Sequence, residues 1–192
     1  MRLTEVYALL SVAVILFGAP FYLIDILKHK TKPQRTTWLI WSVQGLVAFV
    51  AQFQLHAKWS LLFVGFSALG NLIVYGLSLF YGVGGWSKLE IGSLIIALLG
   101  LIISIVANAP LIAIFGVIVA DMAGVIPTAI KVYKAPESET TITWIALGIS
   151  PLFAALSVGK FSPSLLLYPV YLAVIDFGIV GTQMLGKSRS KT

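Results

Sequence analysis

Two aspartates, Asp121 and Asp176, lie inside long apolar runs of this 192-residue chain, as do Asn71, Gln44 and Ser150. A carboxylate at the centre of a membrane helix costs about 2.5–3.5 kcal/mol on insertion scales, so such residues are kept for binding, proton exchange or helix clamping. Asp121 is the eleventh residue of its apolar run and Asp176 the twelfth; Asn71 is also the twelfth, and Gln44 and Ser150 sit mid-run. All five are therefore expected at similar depth. Other chemistry is sparse. The chain has no cysteine, and its two histidines, His29 and His56, fall between apolar runs, which argues against a metal centre or other cofactor. No nucleophile–base constellation or phosphate-binding glycine loop is present, so an enzyme is not expected.

The elements that must carry these residues follow from composition. Hydrophobic residues make up 59% and charged residues 10% of the chain, against about 25% charged in soluble domains. Such a chain is expected to be all-α and integral to the membrane, with lipid as its solvent. Seven apolar stretches emerge: Val6–Leu27, Thr37–Phe53, Ser60–Tyr81, Ile91–Ala107, Leu111–Val132, Ile142–Val158 and Leu165–Leu185. The first is too long, and too poor in preceding basic residues, for a cleaved signal peptide. Asn108-Ala109-Pro110 reads as a tight hairpin between the fourth and fifth. Gly82 to Gly85 reads as a flexible turn.

With seven spans, Lys28, Lys30, Lys32, Arg35, Lys88, Lys131, Lys134, Lys187, Arg189 and Lys191 fall on one side of the membrane, and Arg2, Lys58 and Lys160 on the other. Ten against three places the N-terminus outside the cell membrane and the C-terminus in the cytoplasm. The net charge of +6 is thereby explained by topology and anionic lipid, not by nucleic acid.

An internal repeat is visible when spans 1–3 are laid over spans 5–7. Pro20 falls on Pro127 at an offset of 107, Trp38 on Trp144 at 106, and Leu61-Leu62, Ala68, Asn71 and Gly76 on Leu166-Leu167, Ala173, Asp176 and Gly181 at 105. Three spans reverse the chain's side, so the fourth, Ile91–Ala107, restores direction and makes the repeats parallel. It is apolar all round, as expected of a lipid-facing connector. The divisions are a first three-helix repeat over 1–82, a linker region with the fourth helix over 83–108, a second repeat over 109–186, and a cytoplasmic tail over 187–192.

This 3+1+3 plan resembles the SWEET and PQ-loop transporter families. Their motif, a Pro-Gln pair followed about ten residues later by Lys-Ser, is matched in part by Pro20-Phe21 with Lys30-Thr31, and by Pro127-Thr128 with Lys134 and Ser138. The glutamine is absent from both copies, and the literal Pro33-Gln34 lies in a loop. The resemblance implies a transporter of a small polar solute (sugar, amino acid, amine or vitamin-like) working by alternating access through a central site between the repeats. It points to Asn71 and Asp176 as substrate contacts, and to prolines inside the spans as hinges. Gln44, Ser150, Asp121 and Trp41, the last suited to stacking on a ring, complete the candidate binding residues; Pro20, Pro127 and Pro151 are the candidate hinges. An aspartate where the family has asparagine favours a cationic solute or proton coupling. Trp38 and Trp144 read as interfacial anchors. A receptor on the same fold is the alternative, and homo-oligomerisation is left open.

Overall fold

In a computed structural model that describes residues 2–54, 59–107, 109–159 and 161–189, the described chain is helical. The helices are α1 (Leu3–Leu27), α2 (Arg35–Gln54), α3 (Trp59–Tyr81), α4 (Lys88–Val106), α5 (Pro110–Lys134), α6 (Thr141–Ser157) and α7 (Pro163–Arg189), with a 3-10 turn over Pro136–Ser138. Each coincides with one of the seven apolar stretches to within a few residues. The reason is elementary: where water is absent, a backbone must satisfy its own N–H and C=O groups, and the helix does so within one segment. The hairpin residue Asn108 and the basic Lys58, Lys160 and Lys191 lie outside the described residues, as does His56.

Local chemistry sets the helix ends. α1 closes with His29 in the left-handed region at φ 58, the N–H of His29 bonding to Ile26 O and that of Lys30 to Asp25 O, both at 2.9 Å. This is the Schellman arrangement. α4 opens on a capping box: Glu90 N–H donates to Ser87 Oγ at 3.3 Å, and Ser87 N–H to Glu90 Oε2 at 2.9 Å.

Among the described residues, five helices are long and apolar enough to cross a bilayer: α1, α3, α4, α5 and α7. α6 is apolar but has only 17 residues. α2 carries Thr36, Thr37, Ser42 and Gln44, all buried, and this polar load keeps it out of the apolar set. Large apolar side chains cover the outside of the long helices, as on α4, where Leu98, Leu99, Ile105 and Val106 are exposed. Lipid solvates such a surface; water does not.

The chain forms two compact units, one of residues 1–31 and 129–192, the other of residues 32–128. In the first, α6 packs against both α1 and α7, and the 3-10 turn packs on α7. In the second, α2 packs against α3 and α4. α5 supplies its length up to Thr128 to the second unit and its last residues to the first. The sequence repeats group α1 with α2 and α3, whereas the compact units group α1 with α6 and α7.

α4 departs from the connector expected to face lipid all round. Glu90, Ser93, Ala97, Gly100 and Leu101 form a buried face. There α4 meets α5 at van der Waals distance: a Cβ on Gly100 would lie 2.6 Å from Gly116 O, and one on Gly116 2.5 Å from Gly100 O. Small residues let two helix backbones approach this closely, and here the closest pair is two glycines. Gly116→Val is therefore expected to destabilise the second unit by about 1–3 kcal/mol through overpacking. Thermal unfolding in detergent measures this, with Ile102→Val on the exposed face of α4 as a control expected within about 0.5 kcal/mol of the parent.

Candidate functional site

Four of the six candidate binding residues belong to the second unit. Asn71, on α3, donates from Nδ2 to the backbone carbonyl of Trp41 on α2 at 3.1 Å. α3 can come this close because Gly45 carries no side chain; a Cβ there would lie 3.1 Å from Ala68 Cα and 3.7 Å from Asn71 Nδ2. The Trp41 indole stands edge-on to Trp38, ring centroids 5.2 Å apart, and packs on the cluster of Ile40, Ala97, Leu101, Ala120 and Ala123. Its Nε1 lies 3.3 Å from where a Cβ on Gly124 of α5 would be. Trp41 thus joins Asn71 on α3 to the stretch of α5 that holds Asp121, one turn before Gly124. Asp121 is 3% exposed and Gln44 is also buried.

Asp176 and Ser150 belong to the first unit. Asp176, on α7, is 7% exposed, and α7 meets α6 beside it, with the Phe177 ring 3.0 Å from the Cβ position of Gly148. Ser150 has a visible structural task. Its hydroxyl donates to Ser11 O at 2.9 Å and lies 3.0 Å from Ser11 Oγ, tying α6 to α1. Asn71 and Asp176, paired by repeat position, are therefore placed by different units, each through its own helix contacts.

Helices α1, α5, α6 and α7 run unbroken through Pro20, Pro127, Pro151 and Pro169 respectively. Each proline removes one backbone donor and weakens its turn. Near two of them a threonine from another helix bonds to the backbone. Thr143 of α6 donates to Gly18 O of α1 at 2.9 Å, and Thr37 of α2 donates to Gly124 O of α5 at 2.5 Å while accepting from Thr128 at 2.8 Å. These two clamps share one register: Gly18 and Gly124 are 106 positions apart, and so are Thr37 and Thr143. The neighbouring residues repeat the match, for Gly18 abuts Ala146 and Gly124 abuts Ile40, again 106 apart. In both clamps a second helix of one sequence half grips a first helix of the other half.

Trp38 and Trp144, expected as interfacial anchors, are instead interior, at 5% and 0% exposure. Trp144 donates from Nε1 to Glu139 Oε2 at 2.8 Å. Glu139 is the centre of a polar cluster that sequence reasoning missed. Its Oε1 accepts from Tyr22 at 3.2 Å and is ion-paired with Lys131. Gln183 of α7 donates to the backbone carbonyls of Glu139 and Pro136 at 2.9 and 2.6 Å, and accepts from Thr141 at 2.7 Å. Thr140 donates to Asp25 Oδ2 at 2.9 Å and lies 2.5 Å from the Thr31 hydroxyl.

A second cluster closes one end of the second unit. Gln34 donates to Glu90 Oε1 at 2.8 Å, which also accepts from Gly85 N–H at 2.7 Å. Arg35 donates to the carbonyls of Ser78, Gly84 and Gly82 at 2.9, 2.8 and 2.9 Å, at and beyond the end of α3, where the Ser78 carbonyl also accepts from Gly82 N–H at 2.9 Å. The turn from Gly82 to Gly85 is therefore fastened from both sides, not the flexible turn expected. Among the described residues no group of three His, Cys, Asp or Glu side chains is arranged to hold a metal.

The register that aligned Trp38 with Trp144 also aligns the threonines just before them, so both clamps were open to sequence reasoning. Glu139 had no such signal. Comparison with known proteins finds no match: no family model fits the chain, and no curated protein and no solved structure is similar to it.

Thr143→Val and Thr37→Val should each lower stability by about 1 kcal/mol, since each leaves a glycine carbonyl without its extra donor in a site that excludes water. The corresponding serine variants should retain most of it. Unfolding midpoints in detergent, with the double valine variant tested for additivity, measure both effects.

Proposed function

We propose that this chain is a multi-pass transporter of a small polar solute, working by alternating access. The observation that carries the reading is the pair of carboxylates, Asp121 and Asp176, buried at 3% and 7% exposure partway along helices long and apolar enough to span a bilayer. Ionisable groups so placed mark substrate or proton pathways. Asn71 and Trp41, joined by a hydrogen bond in the unit that also holds Asp121, offer that unit an amide and an indole. Carboxylate, amide and indole together suit a cationic or amine-bearing solute. Ser150 is set aside as a binding group because its hydroxyl serves the contact with Ser11.

The two clamps at a spacing of 106 support the reading of two repeats, and with it the resemblance to SWEET and PQ-loop transporters. Pro20, Pro127 and Pro151 are proposed as the flexible points. The bias of basic residues supports an N-terminus outside the cell membrane and a cytoplasmic C-terminus. A receptor on the same scaffold is the second reading, favoured by how fully the polar groups are engaged in helix–helix contacts.

The test is a thermal-shift screen of the purified protein against sugars, amino acids, amines and vitamins, followed by counterflow in proteoliposomes with each hit. Transport predicts counterflow in the parent, at least tenfold slower in Asp121→Asn or Asp176→Asn; tenfold corresponds to about 1.4 kcal/mol. Binding without flux identifies a receptor. Proton coupling predicts uptake that depends on an imposed pH gradient and loses that dependence in one aspartate variant; flux indifferent to pH removes coupling from the proposal.

A further inference from the structure

The charge bias of the sequence fixes a side of the membrane but not a place on it. Of the ten basic residues expected together on one side, Lys32, Arg35 and Lys88 alone belong to the second unit. Arg35 is engaged there by three backbone carbonyls. The first unit carries the rest. Either unit would serve topology equally, so the skew calls for another cause.

The fold gathers these cations at one end of the first unit, where α1, α5 and α7 finish around residues 135–140. The Thr31 hydroxyl, just past α1, lies 2.5 Å from that of Thr140, and Gln183 of α7 bonds to the carbonyls of Pro136 and Glu139. Gly186 brings α7 onto the last turn of α5: a Cβ there would lie 2.7 Å from Tyr133 O and 3.1 Å from Val132 O. Arg189, one turn further on, reaches across to α5, its guanidinium 5.5 Å from the centre of the Tyr133 ring. A guanidinium stacked on a ring is held flat yet keeps its N–H edge for a second partner, and that edge matches a phosphate.

The charges at this end are not balanced within the protein. Lys28, Lys30, Lys134, Lys187 and Arg189 are all exposed. Glu139 is buried and turned to Tyr22, Trp144 and Lys131, and Asp25 takes the Thr140 hydroxyl. Glu137 is the exposed acid of this end among the described residues. Apolar side chains stand exposed just before the cations: Leu27 before Lys28, Ile130 and Tyr133 before Lys134, Leu185 before Lys187. An acidic protein segment would meet the charges and leave this apolar rim uncovered. A lipid with a phosphate headgroup and acyl chains meets both.

We propose that this end of the first unit is a binding site for an anionic phospholipid. Arg189, supported on Tyr133, takes the headgroup phosphate together with Lys134 and Lys187. Lys28 and Lys30 add charge from the end of α1, and the apolar rim receives the acyl chains. The site serves a transporter or a receptor equally.

The test titrates purified protein in neutral detergent with phosphatidylglycerol and follows the unfolding midpoint. The midpoint of the parent should rise, and phosphatidylcholine at the same concentration should not raise it. Lys134→Gln, Lys187→Gln and Arg189→Gln should each increase the lipid concentration for half the rise about fivefold, the share of one cation near an anionic headgroup. Tyr133→Leu should weaken binding about two- to fivefold by removing the ring under Arg189, whereas Tyr133→Phe keeps the ring and should match the parent. A double Lys32→Gln, Lys88→Gln variant in the second unit should also match it. Equal rises with both lipids overturn the proposal, as does the same rise from inorganic phosphate or from poly-glutamate of matched charge. Unchanged binding in all three glutamine variants does so too. A further measurement needs no variant: salt at about 0.5 M should weaken phosphatidylglycerol binding to the parent several-fold by screening, and indifference to salt overturns the site.

Discussion

Everything in this structure answers to one constraint: a polar group placed in lipid must find its partner within the protein. Helix formation satisfies the backbone, but prolines, close glycine contacts and polar side chains reopen the question residue by residue. Ser150 answers it with Ser11, Thr143 and Thr37 with glycine carbonyls, and Asn71 with the backbone of Trp41. The hydroxyl bonds fall between helices distant in sequence, and the amide bond between consecutive ones. In a bilayer, where apolar burial gives little reason for one helix to prefer another, such bonds select partners.

The loop ends follow a different rule because water is near. There the chain uses full charges. Arg35 gathers carbonyls in and just after the last turn of α3, and Glu90 gathers the N–H groups that precede α4. Glu139 collects an indole, a phenol and an ammonium. Charged hydrogen bonds are roughly twice as strong as neutral ones, which suits them to fixing loops that carry no regular structure of their own. Neutral bonds between helices and charged bonds at loops form a division of labour set by the local availability of water.

This division also explains what the sequence revealed. Apolar runs locate the helices, since lipid tolerates little else, and Gly18, Thr37, Gly124 and Thr143 share the register of Trp38 and Trp144. Glu139 was hidden because an acidic residue between two spans, like its neighbour Glu137, looks like a solvated loop residue; only the fold brings Tyr22, Lys131 and Gln183 to it. Trp38 and Trp144 misled for a related reason. A tryptophan near a helix end suits the membrane interface, but Trp144 has a buried carboxylate to meet. Gly100 and Gly116 reversed the reading of α4, because an all-apolar helix shows no preferred face until its closest neighbour is known.

The pairing of α1 with α6 has a consequence for how the protein is made. Ser11 and Ser150 are 139 positions apart, and synthesis proceeds at about 5–20 residues per second. α1 therefore enters the membrane roughly 7–30 seconds before its partner exists, with the hydroxyl of Ser11, the phenol of Tyr22 and the carboxylate of Asp25 still to be matched. Meanwhile α2, α3 and α4 emerge and can pair among themselves at once. The second unit is thus assembled from consecutive helices, and the first is completed only when the chain returns to a helix that has waited since the beginning.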